Sequence, residues 1–391
     1  MGDNAVAAEL LEASLDVFRA RGEEALAASA ATSLAIVLHG GGEVERAERL
    51  CADSLAWCRQ RSDLSGIGRN LHVMGLFATR VGEYERAEAP LREALDAYAR
   101  SQDAVGRGVC LNSLGHCSFS RGRYDDAHAS YAAALKIARA TGDRRSEGMT
   151  AMNVGNARRH SGDLVAAKGW YLVALEIFGD IGEARGRASI LNNLGNLARD
   201  MHDGEAAERY YLESLALKRA SGDRLALVTT LRNVAQALMV KGDARGAHQH
   251  VDEALEIASS SGAWAMAAES YRQQGAIELH HGSVAAAQSA FARALELALA
   301  CGSDPLMLRA LVSMSDAYVR VDRHPEAARL LAAVLAHEAT DHETRAEADT
   351  VVGTLPDGTP LPAAPPDTLR ELVDGIVSGR PRAGTVPTNG G

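Results

Sequence analysis

The sequence predicts an all-α solenoid, and three ladders of residues held at one period predict it. A glycine ladder climbs in steps of 40 through Gly75, Gly115, Gly155 and Gly195, then passes Ala235, Gly275 and Ser315 with no insertion or deletion. An alanine ladder runs in phase with it: Ala7, Ala47, Ala87, Ala127, Ala167, Ala207, Ala247, Ala287 and Ala327. A leucine ladder matches both: Leu15, Leu55, Leu95, Leu135, Leu175, Leu215, Leu255, Leu295 and Leu335. Registers kept this long at one period mark stacked supersecondary units that bury apolar surface only against their neighbours. Such a stack offers an extended binding surface rather than a closed pocket.

Gly108 to Arg145 shows the unit. Val109, Leu111, Leu114 and Cys117 recur at mixed three and four spacing, one apolar stripe of a first helix. Arg121-Gly122-Arg123 ends it, with glycine supplying a left-handed terminal residue. Tyr124, Ala127, Tyr131, Ala134, Leu135 and Ala138 then run down one face of a second helix, closed by Gly142-Asp143. Each unit therefore reads as a helical hairpin. A glycine in mid-helix costs about 1 kcal/mol relative to alanine, so its recurrence predicts close approach of the second-helix backbone, with the alanine ladder facing it. Between them a bulky position, filled by Leu91, Tyr131, Tyr171, Tyr211, Val251, Phe291 and Leu331, is expected to be a knob in the core.

Composition agrees. A chain of 391 residues would ordinarily hold two or three domains, but a repeat needs no central core. Hydrophobic residues make up 47% and aromatics only 4%, so small side chains must supply most helix contacts. A net charge of −10 argues against a general nucleic-acid or anionic-membrane binder. No apolar run has the length to span a bilayer, and the N-terminus lacks the pattern of a secretory signal; a cytoplasmic location is expected. The cysteines Cys51, Cys58, Cys110, Cys117 and Cys301 follow no framework spacing, so reduced, buried, structural thiols are expected.

The segments LGHCSFSRGRYDDAHASYAAAL and LGNLARDMHDGEAAERYYLESL resemble tetratricopeptide repeats: a Leu-Gly pair, a turn, an alanine, an aromatic, then Ala-Leu. The resemblance extends from about residue 5 to 345. It departs from the common form in its 40-residue period and in lacking the closing proline, where Ala99, Arg139, Gly179 and Arg219 stand. In these features it is similar to the repeats of spindle-orientation adaptors and kinesin light chains, and to the C-terminal regions of large bacterial transcriptional regulators. The resemblance implies a right-handed superhelical solenoid of about eight hairpins acting as a binding module.

The chain opens in mid-unit. Residues 1–27 align only with a second helix and are expected to be a half-repeat or N-terminal capping helix; the alternative is a chain that is part of something longer. Residues 28–347 carry eight 40-residue repeats. Residues 348–391 are expected to hold a proline-rich linker, a short amphipathic helix built on Leu369, Leu372, Val373, Ile376 and Val377, and a disordered polar tail. That helix either folds back on the repeats or docks on another chain.

The resemblance places first helices along a concave groove. Amide side chains line up there: Asn112 with His116, then Asn153 and Asn156, then Asn192, Asn193 and Asn196, then Asn233 and Gln236. An amide both donates and accepts, so such a ladder can bond an extended backbone without reading its sequence. Arg159, Arg199, Arg232 and Arg272 are interleaved and suit bidentate capture of carboxylates. The expected ligand is a protein or extended peptide segment, with the arginines favouring an acidic one, although Asp200, Glu269 and Asp316 dilute the positive field and amides flanking the Leu-Gly pair also serve the scaffold itself. No histidine pair has the spacing of a zinc site, and no phosphate loop, Gly-x-Ser-x-Gly, HExxH or CxxC is present. The expectation is a non-catalytic scaffold without cofactor or metal and without direct contact to nucleic acid or membrane. The alternative is a regulatory sensor that binds a small effector or signal peptide and controls a linked transcriptional or ATPase domain. End-to-end self-association is a third possibility for a stack that starts in mid-repeat.

Overall fold

A computed structural model of the chain describes residues 2–356, 358–362 and 368–378. Among the described residues it holds nineteen α-helices and no strand, an all-α solenoid. α1 (Gly2–Ala20) is followed by eight first-and-second helix pairs in chain order. These are α2 (Glu24–Gly40) with α3 (Val44–Arg61), α4 (Leu64–Arg80) with α5 (Tyr84–Arg100), α6 (Ala104–Ser120) with α7 (Tyr124–Thr141), and α8 (Arg144–His160) with α9 (Leu164–Asp180). Then come α10 (Ala184–Asp200) and α11 (Gly204–Ala220), α12 (Arg224–Val240) and α13 (Ala244–Ser260), α14 (Trp264–His280) and α15 (Val284–Ala300), and α16 (Asp304–Val319) and α17 (His324–Ala336). α18 (His342–Val352) and α19 (Leu369–Val377) complete the chain. The fold divides into two compact units, Met1–Leu197 and Ala198–Gly391.

The links between helices share one turn, and where an aspartate follows it that residue also caps the next helix. A residue in the left-handed region turns the chain: Gly142 at φ 70° and Gly222 at φ 70° are examples. Where the next residue is aspartate, its side chain caps the following helix. Asp143 accepts from the Ser146 N–H at 3.0 Å and Asp223 from the Ala226 N–H at 3.2 Å, each satisfying an orphan donor of the first turn.

The glycine ladder is explained by side chains rather than by backbone approach. A methyl group added at Gly115 would lie 2.5 Å from Tyr131 Cε1, at Gly155 2.6 Å from Tyr171 Cδ1, and at Gly275 2.4 Å from Phe291 Cε1. The knob itself occupies the space that a Cβ would take, so the expected backbone contact is replaced by a ring laid on glycine. At Gly75 the knob is Leu91, whose Cγ would be 2.6 Å away, with the Ala87 carbonyl at 3.4 Å. Knobs and the alanine ladder are buried together in each unit, Leu91, Tyr131, Tyr171, Ala87, Ala127 and Ala167 in the first and Tyr211, Phe291, Ala207 and Ala287 in the second.

The second unit ends differently from its other pairs. α17 is 13 residues long where α15 has 17. α18 packs on α16 and α17, and α19 packs on α15 and α16, burying Leu369, Leu372 and Val373 in the cluster formed by those helices. Thr368 and Glu371 cap α19 reciprocally. The expected disordered tail at residues 379–391 lies outside the described residues.

Cys51, Cys58, Cys110 and Cys117 are buried free thiols, with burial raising the Cys51 and Cys110 pKa values to about 12. Cys301 corrects the expectation of burial for all five: it is the C-cap of α15 and is exposed. No helix among the described residues is long and apolar enough to cross a membrane.

Candidate functional site

The first helices carry the amide and arginine ladder, and in the first unit much of it is bonded to itself. Asn112 on α6 gives Nδ2–H to Thr150 Oγ1 at 2.9 Å on α8. Asn156 on α8 uses one oxygen, Oδ1, to accept from the Tyr171 hydroxyl at 2.7 Å and from Asn193 Nδ2 at 3.1 Å. Asn153, on the same helix, is half-buried. Arg159 Nη2 lies 2.9 Å from His160 Nε2, and His116 is exposed with its ring 6.3 Å from that of Tyr84. Asn192 and Asn196 are half-buried on α10 beside Asn193.

In the second unit charge dominates. Arg199 Nη1 donates to Gln236 Oε1 at 2.9 Å, and its Nη2 lies 3.5 Å from Asp200. Asn233 is half-buried beside Arg232 on α12. Further along, one carboxylate gathers three guanidinium groups from three successive first helices. Glu269 of α14 meets Arg232 of α12 at 3.1 Å, Arg272 one turn on at 3.1 Å, and Arg309 of α16 at 3.0 Å. Glu269 is buried, with 9% of its side chain exposed, while the arginines expose 21%, 24% and 33%. Burial works to raise the Glu269 carboxyl pKa, but the three guanidiniums outweigh it and hold the group below the usual carboxylate range. The same burial lowers the Arg232 pKa. Gln273 Nε2 fixes the Arg232 carbonyl at 2.6 Å.

A second carboxylate, Glu347 of α18, faces Arg272, Arg309 and Glu269, and burial pushes its carboxyl pKa up. Nε atoms of Arg232 and Arg309 are buried without a hydrogen-bond partner, which costs stability. A carboxylate accepts charge-assisted N–H bonds from guanidinium groups, the contact Glu269 makes in this cluster.

Arg309 and Glu269 share one register 40 residues apart and pair at that step, and Arg232 and Arg272 share another. Other bonds between first helices follow a different step. Asn156 to Asn193, Arg199 to Gln236, and Arg232 to Glu269 each span 37 residues, one period less one helical turn. Scanning at 37 would have joined Arg272 to Arg309 and placed Glu269 as the partner of Arg232. Among the described residues no group of three or more His, Cys, Asp or Glu side chains is placed to hold a metal.

Residues 186–260 match the tetratricopeptide repeat family model. No curated protein matches the chain. Solved structures with a similar fold include BtubC from P. vanneervenii, at 26% identity, TM-score 0.50, and coverage of 56% of this chain and 92% of that one. A Rap protein solved in complex with competence and sporulation factor is 13% identical with TM-score 0.58, covering 90% of this chain and 99% of that one. The Rap conjugation gene regulator of plasmid pLS20, solved in complex with the Phr* peptide, is 14% identical with TM-score 0.52, covering 75% and 76%.

Proposed function

We infer that this chain, a tetratricopeptide-repeat protein, is a non-catalytic module that holds an extended acidic peptide segment along its first-helix face. The observation that carries this reading is the sharing of Glu269 by Arg232, Arg272 and Arg309. A ligand carboxylate meets guanidiniums already oriented by Glu269, in competition with Glu347, whose carboxyl burial pushes up. Pre-ordered arginines lose less rotamer freedom on binding than free ones, which favours affinity. In the first unit, Asn112, Asn156 and Asn193, already bonded between helices, hold the register of that unit's own first-helix face. The Rap conjugation regulator, solved with the Phr* peptide, has a similar fold, and that supports a peptide as the class of ligand.

The test is selection from a random peptide display library by the full-length chain, repeated with an Arg272→Gln, Arg309→Gln double variant. Expected is enrichment of Asp- and Glu-containing peptides whose Kd weakens with salt and rises at least about tenfold in the double variant, the scale of one lost charge-assisted pair. Enrichment without acidic residues, or equal binding by the variant with unchanged circular dichroism, overturns the reading.

A regulatory sensor is the second reading, favoured by the same likeness to a gene regulator. In it the bound peptide controls a further domain. It separates from a plain scaffold by hydrogen exchange: a sensor changes protection in helices remote from the arginine cluster when peptide binds, and a scaffold does not.

A further inference from the structure

The exposed face of α9 is apolar where most other second helices are charged. Val165 is 80% exposed, more than any other large apolar side chain among the described residues, and Leu172 on the same helix is 45% exposed. At the register of Val165 five other second helices carry charge, Glu45, Glu85, Asp125, Glu205 and Arg245, and no other carries a large apolar residue. At about 3.6 residues per turn, Val165, Gly169, Leu172, Glu176 and Gly179 share one stripe of α9, with Lys168 at its edge. A methyl added at Gly169 or Gly179 meets nothing within 4 Å, so the stripe is flat enough for a second helix to lie on it. We propose that α9 is the contact of a homodimer, pairing antiparallel with α9 of a second copy across a two-fold axis at Leu172.

The charges of the stripe select a second copy as the occupant. In a two-fold contact, residue i meets j and j meets i. An antiparallel pair centred on Leu172 joins positions equally far before and after it. Lys168 and Glu176 lie four residues to either side, so each ammonium meets the carboxylate of the second copy, twice in one interface. Val165 and Gly179 lie seven residues to either side, so each valine enters the space beside a glycine of the second copy. Leu172 meets its own counterpart on the axis. Lys168 and Glu176 are both exposed and, among the described residues, have no ion-pair partner within the chain.

Other second helices fail the same match. At the equivalent positions α5 would set Arg92 against itself and Glu88 against Asp96, α7 would set His128 against Lys136, and α13 would set Asp252 against itself. α11 keeps an exposed Leu212 at the centre, but its Glu208 is held by Lys241 at 2.5 Å and its Arg219 by Glu253 at 2.6 Å. One repeat before α9, the registers of Gly169, Leu172 and Val173 hold Ala129, Ala132 and Ala133, exposed and too short to hold a second copy off. One helix pair buries less than a standard interface, so the dimer is of the weak, micromolar kind. This face shares no residue with the arginine cluster and stands independently of the peptide reading.

The test is sedimentation equilibrium of the full-length chain in reducing buffer, which keeps the exposed Cys301 from cross-linking copies. Expected over roughly 5 to 500 µM is a monomer–dimer equilibrium, the range of a Kd set by one helix pair. Leu172→Glu sets two carboxylates against each other on the axis and leaves only monomer. Lys168→Glu and Glu176→Lys each turn two attractive pairs into repulsive ones and raise the Kd at least about tenfold. Mixing these two charge variants in equal amounts brings opposite charges back to both contacts and restores a dimer of wild-type affinity. All three substitutions lie at exposed positions, and circular dichroism unchanged from wild type keeps folding out of the readout. The proposal is overturned if the wild type stays monomeric, if Leu172→Glu or either charge variant associates as the wild type does, or if the mixture fails to recover the dimer.

Discussion

Tyr171 rests its ring on Gly155 and gives its hydroxyl proton to Asn156 Oδ1 at 2.7 Å, so two consecutive residues of α8 are read by one side chain of α9. The same Asn156 oxygen accepts from Asn193 at 3.1 Å, which links packing within a repeat to the polar face of the next first helix. Tyr171→Phe keeps the ring and removes only the hydroxyl. It is expected to lower stability by about 1 kcal/mol, the net worth of a hydrogen bond. Asn156→Ala removes the acceptor of both bonds and is expected to cost more than the tyrosine change. Urea denaturation of the two variants and their double mutant checks both the order and the coupling.

Glycine-to-alanine changes are expected to have opposite signs at two sites. At Gly169, in the middle of α9, an added methyl meets nothing within 4 Å. Helix propensity then acts alone, and Gly169→Ala stabilises by up to about 1 kcal/mol. At Gly115 the methyl would stand 2.5 Å from Tyr131 Cε1, and Tyr131 is buried at 2% exposure. Overpacking of about 1–3 kcal/mol exceeds the propensity gain, so Gly115→Ala destabilises. Thermal melts of the two variants read this directly; equal signs would mean the Tyr131 ring can step aside.

The period of 40 made the hairpins, their links and their knobs legible, because each depends on neighbours at fixed offsets within one helix or between adjoining ones. What the glycines meet was less legible. A small residue signals close approach, but only the direction of the Tyr131 and Tyr171 rings tells whether a backbone or a side chain arrives. The polar face was half legible: residue types and registers placed Asn156, Arg199 and Arg232 on first helices. Their partners lie 37 residues on, since a first helix meets its successor displaced by a turn, and a ladder drawn at the period runs past them.

Glu269 predicts a pH dependence. Its carboxyl is held below the ordinary range by Arg272, Arg232 and Arg309 against the opposing effect of burial. A carboxyl depressed in the folded state stabilises the fold above its unfolded pKa, near 4.3, and that contribution is lost as pH falls through the lower folded value. Glu269→Gln is therefore expected to cost about 2 kcal/mol at pH 7, the scale of hydrogen bonds to a charged group. The gap between variant and wild type closes as the pH is taken below 4 (roughly the unfolded value). Denaturant midpoints measured from pH 7 to pH 3 test this; a constant gap would show that the carboxylate charge contributes nothing.

α19 gives the last prediction. α17 stops four residues short of the length of α15, and α19 returns to α15 and α16 with Leu372 at 4% and Val373 at 0% exposure. Three buried side chains, Leu369, Leu372 and Val373, on a nine-residue helix are its main hold on the second unit. Helices this short are marginal without tertiary packing, so α19 exists because it is docked. Leu372→Ala removes about 2–4 kcal/mol of packing, which is comparable to what such a short element can hold. Hydrogen exchange is expected to show protection lost across α19 and raised opening along the facing surface of α15, while α4 and α5 in the first unit are unchanged. Protection in α19 that survives the substitution would place its hold in the capping box of Thr368 and Glu371 rather than in the core.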